Sequence, residues 1–294
     1  MCDKRKFGVE IEFEGLGLMK LYPALISSGV PTDYCLQHKI RNTNYDKWVL
    51  DIDNSVTQSI SRRLIGGELS SRILEDSDYV WNEVSTVCNL LQKMKAVSTD
   101  RCSTHVTMDI SDCLDNPKFF EIFSKILAVY ETDISLFYMG DSYKVRKTKE
   151  DYATSMVRRL QKNIEKVDFS KKDFLDSLLK NTGCFKLRDG VSFTKLKSRG
   201  LVEFRYPNGT FCSETIKNYV HFTLDLIESI KKGKFDLDYL NYLISEDKDD
   251  YFQFIRNLKF MENFDRFEEL LSIIGNEDET DNYYNQYQKV LSSR

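Results

Sequence analysis

Glu10 and Glu12 stand two positions apart in the run Lys6 to Glu14, where Phe7, Val9, Ile11 and Phe13 alternate with acidic residues. Residues i and i+2 of a strand project from one face, roughly 7 Å apart. Carboxylates that close repel unless a cation lies near or one is protonated. A magnesium ion with oxygen ligands removes the conflict. An edge strand with a solvated acidic face removes it too, and spacing alone does not separate the two. Glu68 is the second element. It follows Gly66-Gly67, where missing side chains let a backbone or a ligand come close; a plain turn into a strand has the same look. The third is His105, mid-strand in Ser103–Ile110 with Asp109 in the same register. Its imidazole can bind a metal or contact a phosphate, or be an ordinary satisfied histidine. The fourth is Val202-Glu203-Phe204-Arg205-Tyr206. Glu203 and Arg205 share a face there, offering a metal ligand and a planar fork for carboxylate or phosphate. A cross-strand ion pair is the plainer alternative.

Weaker candidates surround these four. Asp53 lies in Asp53-Asn54-Ser55, which is also ordinary turn chemistry. Lys144, Arg146 and Lys147 form a basic group after Gly140, suited to phosphate or to solvent. Lys195 precedes the last strands and could neutralise an anion. His38 and His221, the remaining histidines, receive no role. There is no Walker A loop, no GxGxxG, no HExxH and no GxSxG. Any ATP must be held by metals and basic side chains.

The elements that must position these residues follow from periodicity. Strands are expected over Lys6–Glu14, Lys47–Ile52, Val56–Ile60, Gly66–Ser71, Ser103–Ile110, Val191–Leu196 and Gly200–Pro207. Asp53-Asn54-Ser55 is expected to join the second and third of these, and Lys197-Ser198-Arg199 the last two. Helices are expected over 19–28, 78–96, 117–139 (amphipathic, opening at Pro117), twice within 150–181, and from a Ser213 cap to about Lys231. From Gly233 the chain turns helical, aromatic and acidic, with breaks near Ser245-Glu246 and Gly275-Asn276. Its aromatics Tyr239, Tyr242, Phe252, Phe254, Phe260, Phe264 and Phe267 are expected in a core. Strands interleaved with helices, then a helical tail, predict an α+β fold with a mainly antiparallel sheet. The expected division is 1–232 and 233–294.

The chain has 294 residues and a formal charge of −4, so nothing draws it as a whole to nucleic acid or an anionic membrane. Its seven cysteines form no CxxC pair, which argues against a disulfide framework or structural zinc and for reduced thiols in the cytoplasm. No signal-peptide core or membrane-length apolar run is present.

Taken in order, GVEIEFE, W…DNS, GGELSS, STHVTMDI and VEFRYPNGTF resemble the putative amidoligase family, related to glutamate–cysteine ligase and glutamine synthetase. The similarity runs from about Phe7 to Phe211. It implies a curved, glutamine synthetase-like antiparallel sheet flanked by helices, with ATP lying along it beside two or three Mg2+ ions. It implies a carbon–nitrogen ligase whose carboxylate substrate forms an acyl phosphate that an amine resolves to an amide. Glu10, Glu12, Glu68, Glu203 and His105 would hold metal. His105, Arg146, Lys195 and Arg205 would contact the nucleotide. Asp53, Glu203 and Arg205 would act in catalysis. The implied partners are a carboxylate and an amine, either small molecules or groups on a peptide or protein. The family's His-Val-His is here His105-Val106-Thr107, and the glycine before it is Ser103. That departure keeps a catalytically degenerate interaction module in view, and the carboxylates alone also suit a two-metal phosphoesterase or nuclease.

Overall fold

A computed structural model describes residues 5–35, 46–60, 63–140, 153–246, 264–275 and 277–292. Strand β1 (Lys6–Gly17) runs through the middle of the sheet. Helix α1 (Leu18–Ser27), β2 (Thr32–Cys35), β3 (Trp48–Asp51), β4 (Gln58–Ile60), β5 (Arg63–Ser70), β6 (Leu74–Glu75) and helix α2 (Asp78–Lys93) follow. Then come β7 (Thr104–Asp109), the long helix α3 (Pro117–Phe137), α4 (Val157–Asn163) and α5 (Phe174–Thr182). The domain closes with β8 (Val191–Ser192), the one-turn α6 (Leu196–Arg199), β9 (Leu201–Phe204) and α7 (Ser213–Lys231). Three tail helices complete it, α8 (Leu237–Glu246), α9 (Phe264–Ile274) and α10 (Glu277–Ser292). Among the described residues no helix is long and apolar enough to cross a membrane.

The strand order is β2-β3-β5-β1-β7-β9-β8, with β4 added on β5 and β6 on β1. Every pairing is antiparallel except β2 with β3. This is the mainly antiparallel, helix-flanked sheet that the periodicity predicts. Alternation fixes its two faces. Phe7, Val9, Ile11 and Phe13 of β1, Val106 and Met108 of β7, and Val202 and Phe204 of β9 are buried in one core. Burying each such side chain contributes about 2 kcal/mol. A one-residue slip of β1 would place its glutamates in that core, so the register is strongly held. Helix α7 lies against β7, and α1 against β1 and β5.

Some local expectations are overturned. Asp53-Asn54-Ser55 does not close a hairpin: β3 and β4 both pair with β5, at its two ends. The carboxylate of Asp53 accepts the Ser55 N–H at 2.6 Å and its carbonyl accepts Val56 and Thr57, which carries the chain around the bend in β5 instead of reversing it. Strand β5 begins before its glycines, because Gly66, at φ +83°, bends the strand without ending it. Lys197-Ser198-Arg199 belongs to α6, and β8 is only two residues long. Cys212 occupies the N-cap of α7, and Ser213 is its first residue.

Helix α3 is buried on nearly every side and is not the amphipathic helix expected. Helices α4, α8, α9 and α10 cover the face that a single-layer reading leaves to solvent. In the tail, Phe267 stacks on Tyr287 at 4.1 Å and is buried, whereas Tyr239 and Tyr242 are exposed. Phe252, Phe254 and Phe260 lie outside the described residues.

Candidate functional site

The second face of the sheet carries the polar residues, and register brings them together. Glu12 pairs with Glu68, and Glu68 with Asp51, so three carboxylates from β1, β5 and β3 stand in one row. All three are buried. Neighbouring strands are about 4.8 Å apart. At that spacing, in a low-dielectric setting, three ionised carboxylates demand nearby positive charge. Asp51 was not among the residues singled out from the sequence, although the signal was there. Trp48 and Leu50 are core residues, so alternation turns Asp51 to the acidic face.

The next row holds the tightest cluster. Glu10 pairs with His105 across β1 and β7. Glu203 enters from β9, opposite Thr107. One ligand atom each from Glu10, His105 and Glu203 lies within 4.8 Å of the others. His105 Nδ1 is 3.1 Å from Glu10 Oε2 and 3.4 Å from Glu203 Oε1. Its Nε2 is 2.8 Å from Ser103 Oγ, while Ser103 N–H donates to Glu12 Oε2 at 2.6 Å. Ser103 thus steadies both an imidazole and a carboxylate of the site.

Cations rim this cluster. Lys195, at the start of α6, places Nζ 3.6 Å from Glu203 Oε2 and 4.0 Å from Glu10 Oε1. Arg205 pairs with Glu203. Burial works to raise the pKa of Glu10. The hydrogen bond from His105 and the charges of His105, Lys195 and Arg205 outweigh burial and hold it at about 2. Glu10 is therefore a carboxylate throughout the neutral range.

At the far end of the face, Glu14 accepts from Thr99 Oγ1 at 2.7 Å and meets Arg101 Nη1 at 3.1 Å. Arg101 also donates to the Ser55 carbonyl, joining that end to the 53–57 turn. Asp53 stands in this turn, outside the three-carboxylate row. Arg146, with Lys144, Lys147 and His38, lies outside the described residues. Of the residues expected at the site, Glu10, Glu12, Glu68, His105, Lys195, Glu203 and Arg205 converge on one sheet face.

Behind the site, Glu131 of α3 is wholly buried. It accepts the N–H groups of Met156 and Val157 (each at 2.8 Å), Ser155 Oγ at 2.8 Å and the Tyr206 hydroxyl. Burial nevertheless holds its pKa above the usual carboxylate range. The contact ties the chain just past Arg205 to the start of α4.

A family profile described as "Putative amidoligase enzyme" matches residues 3–227. It spans the whole acidic face and ends within α7. No curated protein matches the chain.

Proposed function

The chain belongs to the putative amidoligase family, and from that premise we propose that it is an ATP- and Mg2+-dependent carboxylate–amine ligase. One observation carries this beyond the family: buried carboxylates from four strands share a face with His105 and are rimmed by Lys195 and Arg205. The donor set, carboxylate oxygens with one imidazole, fits hard divalent ions such as Mg2+ or Mn2+. Glu10, His105 and Glu203 would hold one ion, and Glu12, Glu68 and Asp51 a second. Bound there, the ions supply the positive charge that lets a polyanionic nucleotide approach an acidic surface. The finer fold type implied by this reading is the glutamine synthetase-like sheet.

In the proposed reaction a substrate carboxylate oxygen bonds to the γ-phosphorus of ATP, and the bond to the bridging oxygen breaks, releasing ADP. The amine nitrogen then bonds to the acyl carbon. Phosphate leaves, and the nitrogen gives up a proton. No serine or cysteine nucleophile is needed, because the acid is itself the nucleophile. Arg205, held by Glu203, places a guanidinium where negative charge spreads over the transferring group. Lys195 balances charge at the same edge. Ser103 sets the His105 ring so that Nδ1 faces the two glutamates.

Calorimetry of ATP with and without Mg2+, on the intact chain and on a Glu10→Ala, Glu12→Ala variant, tests the reading. Binding that requires Mg2+ and is lost in the variant is expected, followed by ADP release only when an acid and an amine are both supplied. ATP binding that ignores the metal, or hydrolysis of phosphoesters without ATP, would sink it.

A further inference from the structure

Beside Glu10 the acidic face opens into a bay of about 150 Å3, continuous with solvent. Its floor is Gly8, the β1 residue that shares a face with Glu10 and Glu12. Gly8 is not required by the backbone. It is absent from the positive-φ glycines, and an added Cβ would meet only Ser71 Oγ, at an ordinary 3.5 Å. Glycine inside a strand weakens it and often marks close approach by another group. The contrast with Gly66 and Gly67 is sharp. Cβ atoms there would lie 2.7 Å from the Val56 carbonyl oxygen and 2.5 Å from that of Asp51. Those two glycines serve backbone packing; Gly8 leaves space.

The walls of the bay define what would fill it. Ile73, 46% exposed, and Leu201 give it apolar sides. Ser70 and Thr107 line it with hydroxyls that have no protein partner among the described residues. Glu10 also reaches the bay, but its charge is met by His105 at 3.1 Å and faces Lys195 at 4.0 Å. Asp109 is engaged by Ser111 N–H at 2.9 Å, and Arg72 by Glu83 at 3.0 Å. Lys195 at the inner edge, shared between Glu203 at 3.6 Å and Glu10 at 4.0 Å, and exposed Lys6 at the outer edge are the cations an anion in the bay would meet.

We infer that this bay is the acid-substrate pocket: it takes a small carboxylic acid with a short apolar body, the carboxylate at Lys195 beside the Glu10–His105–Glu203 cluster and the body over Gly8 against Ile73 and Leu201. The assignment rests on the ligase reading for its chemical meaning and on the bay itself for its geometry. A carboxylate seated there abuts the cluster where the nucleotide would be activated, and the Ser70 and Thr107 hydroxyls would donate to it.

Methyl NMR on the full chain, following Ile73, Leu201 and Thr107, tests the inference with isocaproate and, as the cationic counterpart, isoamylamine. Isocaproate is expected to shift these methyls saturably, and isoamylamine to leave them in place. Gly8→Val, which fills the floor, is expected to weaken isocaproate by more than about tenfold while changing Mg2+·ATP affinity less than about twofold. Should Gly8→Val fail to fold, Thr107→Val removes only a hydroxyl and is expected to cost about tenfold in isocaproate affinity. The inference is overturned if the amine shifts the methyls as well as the acid does, if isocaproate shifts none, or if Gly8→Val removes the nucleotide instead. An intact chain that binds isocaproate in the bay but no Mg2+·ATP would leave the pocket standing and bring down the ligase reading.

Discussion

Ser103 Oγ, 2.8 Å from His105 Nε2, engages that nitrogen and leaves Nδ1 facing the carboxylate pair. With the proton on Nε2, donated to Ser103, Nδ1 carries a lone pair toward Glu10 and Glu203. That arrangement is favourable only if a cation lies among them; otherwise Nδ1 must hold a proton itself. Ser103→Ala should therefore weaken divalent-ion affinity by about 10–100-fold without unfolding the chain, as measured by Mn2+ titration. His105→Ala should abolish high-affinity binding in the same titration. Wild-type-like affinity in either variant would take the ion away from this cluster. Glu10, Glu12, His105, Glu203 and Arg205 are legible from the sequence because each sits in a short alternating run whose other face is plainly apolar, and Glu68 because it follows a pair of glycines. Asp51 was missed because its strand is only four residues long, and the neighbouring Asp53 has the more conspicuous turn chemistry. Ser103, Arg101 and the bay over Gly8 depend on contacts between distant segments, which no local pattern records.

At the scale of elements, β5 and β1 each carry a glycine, and the two are of different kinds. Gly66, at φ +83° with backbone oxygens 2.7 and 2.9 Å from where its Cβ would be, has no room for a side chain. Gly66→Ala is expected to lower stability by about 2 kcal/mol or more, seen as a fall in melting temperature. Gly8→Ala, with no such clash, should be neutral or raise stability by about 0.5 kcal/mol. Equal effects of the two substitutions would contradict this division. The strand faces and the boundaries of α1, α2 and α3 follow from period and from Pro117. The partner of β4 does not, since both β3 and β4 present plausible hairpin edges and only the bend in β5 assigns them. The burial of α3 on all sides likewise depends on a tail that its own sequence cannot announce.

At the scale of the molecule, that tail is fastened to the domain through His221 on α7. Its Nδ1 is 2.6 Å from Glu279 of α10 and its Nε2 is 3.1 Å from Asp76, before α2. Tyr283 hydroxyl bridges Glu279 and Asp225, while Trp81 and, over it, Lys217 complete the surroundings. Burial works against the His221 charge, but the two carboxylates prevail and raise its pKa from 6.5 to about 9. The hydrogen bond from His221 leads in holding Glu279 at about 2, and burial lifts Asp225 to about 7. A raised histidine stabilises fully below its unfolded value near 6.5 and loses that contribution as pH climbs through 9. The raised Asp225 moves the same way, losing stability from about pH 4 to 7, whereas Glu279 contributes above about 4.5. Docking of α10 should thus be firmest near pH 4.5, where Glu279 is fully ionised and Asp225 has only begun to lose its contribution, and loosen progressively toward pH 9. Limited proteolysis of the tail across that range should accelerate at high pH, and His221→Gln should flatten the profile. The position of β1 carries a consequence for how the chain assembles. It is the first strand in sequence and the middle one in the sheet, flanked by β5 and β7, with β9 arriving only at Leu201–Phe204. During synthesis β1 gains α1 at once but waits for β5 and β7, and the sheet for β9, so closure of the sheet is a late and long-range event. Refolding followed by tryptophan fluorescence should be slow, and chains cut short before β9 should aggregate.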